Sequence, residues 1–222
     1  MSTVALIGGA GSIGTRYHCI LDKLGVDVVV HDPPAGIHGN LTNCDKWIIA
    51  TPTETHYNWC LQAISAGVTF LCEKPMSKSL VETEAIVDKA YVRGVEGFVV
   101  CNYNMCSVTM KGREIYFNYF RTGKDGLCWD CCQLLYLGNQ VMLKTDSFVW
   151  TLIVDGVWQV DYRDLEMSYG KMLASFCGVA GQHPSALWDL EDGHEMTRTV
   201  LQVIEKVKSE DSHIDTSAIR KH

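Results

Sequence analysis

No apolar run in this chain reaches the ~18 residues that a bilayer-spanning helix needs, so no transmembrane segment is expected. Positive charge is in short supply. The 19 lysines and arginines stand against 26 aspartates and glutamates, a net charge of −7, which argues against nucleic acid and against an anionic membrane surface as partners. The amino terminus carries no basic segment and no cleavage-site pattern. Thr3 leads straight into an apolar run, and a cytoplasmic location is the expectation. Ten cysteines are present without a secretion signal, so they read as reduced core thiols rather than a disulfide framework. Cys128-x-x-Cys131-Cys132 offers one pair at metal-ligand spacing, but no second such pair and no paired histidines complete four ligands, and no metal is expected. Internal repeats and low-complexity linkers are also missing. What remains is a chain of 222 residues, 47% hydrophobic, enough for a sizeable core in one large domain or two small ones.

The first run, Thr3 to Ile7, is apolar apart from the threonine, as a parallel strand covered on both faces must be. Gly8-Gly9-Ala10-Gly11-Ser12-Ile13-Gly14 follows, and a helical stretch from Ile13 to Leu24 is closed by Gly25. Gly9, Gly11 and Gly14 match G-x-G-x-x-G: the first allows a tight turn, the second lets backbone approach a pyrophosphate, and the third lets helix and strand pack closely. Phosphates then rest on the helix amino terminus. A second strand, Val26 to His31, delivers Asp32, 18 residues beyond Gly14 and close to the ~20 expected for the acid that binds the adenosine ribose. No arginine follows it to hold a 2′-phosphate, so NAD is expected over NADP.

Pro33 to Asp45 is short and rich in Pro, Gly and Asn, leaving room for neither the helix nor the strand of a complete dinucleotide-binding half. Trp47 to Ala50 then reads as a buried strand, Thr51 to Thr55 as a turn, and His56 to Ala66 as a helix ended by Gly67. Val68 to Cys72 is the next strand and delivers Glu73-Lys74-Pro75. Ligands of open parallel sheets sit outside the carboxyl ends of the strands, so Thr51-Pro52 and Glu73-Lys74 are expected to face one crevice. Ser77 to Arg93 is helical, with Ser79 and Glu82 at capping-box spacing, and Gly97 to Cys101 is a fifth strand. These elements predict an α/β fold: a parallel-sheet dinucleotide-binding domain over 1–104.

The remainder, 105–222, reads as a smaller α+β domain with a mostly antiparallel sheet. Arg113–Phe120, Gln140–Thr145, Phe148–Val154 and Val157–Tyr162 are strand candidates, with a hairpin signal at Asp155-Gly156. Asp164–Cys177 and Asp192–Lys208 are helix candidates, and the polar tail from Ser209 is expected to fray. Trp150, Leu152, Trp158 and Val160 alternate along two of these strands, and a homo-oligomer packed through that sheet is expected.

Gly8–Gly14, Asp32, Ile48-Ile49-Ala50-Thr51-Pro52-Thr53-Glu54-Thr55-His56, the strand ending in Glu73-Lys74-Pro75 and Asn102-Tyr103-Asn104 together resemble the glucose–fructose oxidoreductase and inositol dehydrogenase family. The resemblance covers 3–104 and weakens beyond. It implies a Rossmann domain followed by an antiparallel α/β domain, in a shortened member, and an NAD(P)-dependent oxidoreductase acting on sugars, cyclitols or their derivatives. It implies that Lys74 contacts both nicotinamide and substrate, that His56 lies near the cofactor, and that Ser12, Ile13, Thr51, Pro52, Thr53, Glu73 and Asn102 line the dinucleotide. A helix-start residue that only packs is the plainer reading of His56. The family's Asp-x-x-x-His pair finds its aspartate at Asp130, but the fourth residue on is Leu134. Proton transfer then falls to Lys74, with Tyr103 and Asp130 as possible helpers. Two other readings stand beside this one: a reductase of a conjugated acceptor, which needs no alcohol base, and an NAD-binding sensor without turnover.

Overall fold

The computed structural model describes residues 3–102, 115–119, 128–129, 132–137, 140–146, 149–155, 162–179, 187–206 and 212–215. The chain divides into two compact units, Met1–Cys106 with Tyr162–His194, and Ser107–Asp161 with Glu195–His222.

In the first unit, β1 (Thr3–Ile7) runs through the core, its Val4 to Ile7 side chains fully buried. Gly8 turns the chain at φ +84, where a side chain would strike the Ala50 carbonyl. Helix α1 (Ser12–Lys23) buries Gly14, Tyr17 and Leu21, a three-and-four spacing that lays one stripe on the sheet. β2 (Asp27–His31) pairs parallel with β1. The short Pro-Gly segment forms only a 3-10 turn at Pro33–Ala35 and a bridge between Asp32 and Ile37, as the sequence predicts. Gly39 then presses against β2 so closely that a Cβ would lie 2.2 Å from the Val30 oxygen. That segment shields part of an edge strand that a missing neighbour would leave open.

β3 (Lys46–Ile49) leads into α2 (Thr53–Ala66). The helix starts three residues before the predicted His56, because Pro52 already sits at the cap with φ −58, the value its ring imposes. Gly67 ends it in the left-handed conformation. β4 (Thr69–Cys72), α3 (Leu80–Arg93) and β5 (Gly97–Val99) follow. The cap of α3 differs from a simple capping box. Ser79 Oγ accepts the Glu82 N–H at 3.4 Å, but the Glu82 carboxylate receives the Ser77 hydroxyl, whose oxygen accepts the Ser79 N–H at 3.1 Å. Ser77 closes the box as an inserted bridge.

The sheet order is β2-β1-β3-β4-β5-β9. Its first five strands are parallel, and β9 (Trp188–Asp189) adds antiparallel to β5. This sixth strand was not among the expected five, since two residues carry no period. Helix α5 (Tyr162–Cys177) packs on α1, and α6 (Leu190–Lys206) begins in this unit and ends in the other.

The second unit holds the antiparallel sheet β10-β7-β8-β6, made of β6 (Ile115–Tyr119), β7 (Gln140–Asp146), β8 (Val149–Asp155) and β10 (Ser212–Asp215), with helix α4 at Cys132–Leu137. The hairpin in the described residues joins β7 to β8, where Asp146 pairs with Val149. β8 ends at Asp155, Tyr162 opens a helix, and 156–161 lie outside the described residues, including the expected strand there with Trp158 and Val160. The tail does not simply fray: Ser212–Asp215 pairs with β7. Four residues of mixed polarity gave no strand signal, and pairing to an existing edge supplies what propensity lacks. Among the described residues, no helix is long and apolar enough to cross a membrane.

Candidate active site

Because the first five strands are parallel, their carboxyl ends share one edge, and five short segments leave from it: Gly8–Gly14, Asp32, Thr51–Thr53, Glu73–Lys74 and Val100–Asn102. The sequence-predicted residues that the structure describes are gathered there.

The glycine loop is shaped by the exclusion of side chains. A Cβ on Gly14 would lie 2.1 Å from the Gly8 oxygen and 2.7 Å from the Gly9 Cα, and one on Gly9 would lie 2.6 Å from Val30 Cγ1. These two glycines are needed for the packing of turn, helix and sheet. Gly11 differs: a Cβ there would meet only the Gly8 oxygen, at 3.3 Å, so its bare backbone borders open space. Gly11 caps α1 with no side-chain cap bond, and the first turn of the helix, with Ser12 and Ile13, holds no acid. The helix start therefore presents amide donors and positive partial charge to whatever anion enters.

Asp32 Oδ2 accepts the Ala10 N–H at 2.9 Å, which ties the end of β2 to the glycine loop. A cavity of about 610 Å³ opens here, bordered by Gly8, Ala10, Gly11, Asp32, Thr51 and Pro52, with His31, Trp59 and the Pro33-Pro34 pair at one end. Its size falls within the range of small-molecule and cofactor sites. Trp59 stacks edge-on with His31 at 5.5 Å and with Trp47 at 6.4 Å, an aromatic cluster that composition alone did not single out.

In the cavity wall, the Thr55 hydroxyl lies 2.8 Å from both the Thr51 hydroxyl and the Pro52 carbonyl. His56 is buried, with Nδ1 2.8 Å from the Pro75 oxygen and Nε2 2.8 Å from the Thr51 oxygen. A neutral ring donates to one of these carbonyls and a protonated ring to both. In either form the histidine braces the turn after β3 against the end of β4, the packing role that the sequence left open. Asn102 is buried just past β5. The Lys74-Pro75 peptide bond is cis, and Lys74 is partly exposed at the strand end. The Glu73 carboxylate is 8% exposed and both its oxygens are engaged: Oε1 by the Tyr17 hydroxyl, Oε2 by the Lys74 N–H at 3.0 Å.

Two tyrosines beside Glu73 escaped the sequence reading. Tyr17 looked like any apolar-face residue of α1, and Tyr169 lies almost a hundred positions beyond Glu73 on α5. Burial, followed by the charge of Glu73, pushes both phenols above their ordinary pKa, Tyr17 the further. Tyr103 and Asp130 lie outside the described residues; Leu134 falls within α4. His194 faces α3, its Nδ1 2.8 Å from the Thr83 hydroxyl.

Residues 21–100 match the model of a family described as an oxidoreductase family with an NAD-binding Rossmann fold. No curated protein matches the chain. Solved structures share its fold at low identity. A UDP-N-acetylglucosamine 3-dehydrogenase from Acidithiobacillus ferrooxidans superposes with TM-score 0.68 at 15% identity, covering 94% of this chain and 98% of that one. A dehydrogenase from Thermus thermophilus, solved with NAD and UDP-GlcNAcA, gives 0.60 at 14%, covering 91% and 94%. An inositol dehydrogenase homologue from Azotobacter vinelandii, solved with NADH and myo-inositol, gives 0.57 at 12%, covering 96% and 97%.

Proposed function

We propose that this chain, whose residues 21–100 match the model of an oxidoreductase family with an NAD-binding Rossmann fold, moves hydride between NAD and a small sugar, cyclitol or sugar derivative. The observation that carries the reading is the Asp32 carboxylate, held by the Ala10 N–H at the rim of the cavity beside the open backbone of Gly11.

The parts divide as follows. The amides at the start of α1, around Gly11, Ser12 and Ile13, take the pyrophosphate. Asp32 accepts from the adenosine ribose hydroxyls and repels a 2′-phosphate. Thr51, Pro52 and Thr53 wall the crevice, braced by His56 from behind. Glu73 and Asn102 support the nicotinamide end. Bound NAD accepts or returns a hydride. Lys74 polarises the substrate oxygen and carries its proton, because Leu134 stands where the family's histidine would and has no group to do so. A protonated Lys74 donates directly in the reductive direction. Tyr103 and Asp130 are the proposed helpers.

A panel of sugars, cyclitols and their keto forms, followed by nicotinamide absorbance in both directions, tests this reading. Turnover of at least one is expected, faster in reduction, with Leu134→His improving oxidation. Tight NAD binding with no turnover on any of them would favour the sensor instead, which the missing histidine already recommends. We also propose a homo-oligomer packed through the antiparallel sheet, where Trp150 and Leu152 lie two apart on the central strand β8. Light scattering at micromolar concentration should show at least a dimer, and a clean monomer would refute it.

A further inference from the structure

The Tyr17–Glu73 pair is more costly than packing requires. Tyr17 is fully buried and donates its hydroxyl to Glu73 Oε1; Glu73 is nearly as buried and takes the Lys74 backbone N–H on Oε2. A carboxylate in such a place loses its hydration, and an apolar pair of similar volume would commonly stabilise the fold as well or better. The pair sits instead one residue from the lysine at the strand end. Burial and the charge of Glu73 both favour the protonated phenol of Tyr17, so it remains a donor. From α5, Tyr169 packs its ring 6.0 Å from that of Tyr17, and the Arg16 guanidinium lies 5.3 Å above the Tyr169 ring. The charges of Glu73, Arg16 and Lys74 all bear on the Tyr169 hydroxyl, Glu73 most strongly. On the α2 side, His56 holds the Pro75 carbonyl, and the buried thiols of Cys60 and Cys72 are in contact.

We propose that Tyr17 and Glu73 are positioning residues for Lys74: the buried hydroxyl–carboxylate clamp fixes the strand end that carries the lysine, and its negative charge keeps the lysine proton-loaded. A carboxylate near an ammonium group stabilises the charged form. Removing that carboxylate releases more of the reactive free amine at a given pH. This rests on the reading of Lys74 as the proton carrier only for its meaning. The effect on the lysine is measurable without substrate or cofactor.

Competitive acetylation of the full chain with acetic anhydride over a pH series, read at the Lys74 peptide by mass spectrometry, tests the clamp. Lys78, whose side chain is half exposed, is the internal reference. Glu73→Gln is expected to raise Lys74 labelling relative to Lys78 by roughly three- to tenfold at a fixed pH, half to one pH unit of displacement. Tyr17→Phe should give a smaller rise and Glu73→Asp a profile nearer wild type. A Lys74 profile in Glu73→Gln that superimposes on wild type would overturn the proposal. If circular dichroism shows Glu73→Gln to be unfolded, the double variant Tyr17→Phe, Glu73→Leu, an apolar pair that also removes the charge, decides in the same way. Absence of turnover in the substrate panel would count against the proposed function and leave this result standing.

Discussion

A Gly14→Ala protein is expected to bind NAD⁺ at least about tenfold more weakly than wild type and to melt at a lower temperature. The added methyl carbon would lie 2.1 Å from the Gly8 oxygen and 2.7 Å from the Gly9 Cα, and both neighbours are backbone. No side chain can rotate away, so α1 must retreat from β1 or the glycine loop must open. Overpacking of this kind costs roughly 1–3 kcal/mol. The displaced loop carries the Ala10 N–H that holds Asp32, so the strain reaches the proposed ribose site as well as the proposed phosphate site. A loss of 1.4 kcal/mol in binding is about a tenfold rise in Kd. Gly11→Ala separates the two effects. Its backbone, at φ −70, suits any residue, and its Cβ meets only one atom at 3.3 Å. That variant should keep its melting temperature and still lose affinity, because its methyl group would occupy the space proposed for the pyrophosphate. Thermal melts and calorimetry on both variants check the pair. Equal, undiminished affinity would contradict the loop's assignment.

Lys74→Ala is expected to behave in the opposite way: turnover falls by roughly 10²–10⁴, the usual scale for a positioned proton-transfer group, while NAD⁺ affinity changes little. The proposed binding contacts come from the amides of α1 and from Asp32, on the other side of the sheet order from β4. Folding should survive, since Lys74 is partly exposed and its backbone N–H, which Glu73 uses, is kept in alanine. The decisive comparison is kcat against the nucleotide Kd on whichever substrate the panel identifies. Normal turnover in the variant would remove Lys74 from the proton route.

The parallel sheet was legible because each of its strands is a short apolar run with a turn or glycine behind it. Glycine at 67 and 94 stops α2 and α3 in the left-handed conformation, as placed from sequence. Asp32 was legible through spacing, since one helix and one strand separate it from the glycine loop. What was not legible depends on contacts between distant segments. β9 has two residues and exists because β5 offers an edge. β10 is polar and exists because β7 does. The start of α2 lies three residues before the one that periodicity predicts because proline fixes the cap. Tyr17 and Tyr169 look like ordinary helix residues until α1, α5 and the end of β4 are folded together. His56 reads from sequence either as a residue near the cofactor or as one that only packs, and its two carbonyl partners show that it braces two loops.

The cavity beside Gly11 and Asp32 is the proposed NAD site. Its most direct test is calorimetric titration of the wild-type chain with NAD⁺ and with NADP⁺ under the same salt and pH, repeated on Asp32→Ser. A 2′-phosphate facing the Asp32 carboxylate meets like charge and removes a ribose hydrogen bond, so NAD⁺ is predicted to bind the wild type more tightly, and the gap is predicted to narrow in the variant. Equal affinity of the wild type for both nucleotides, or no binding of either, would contradict the account.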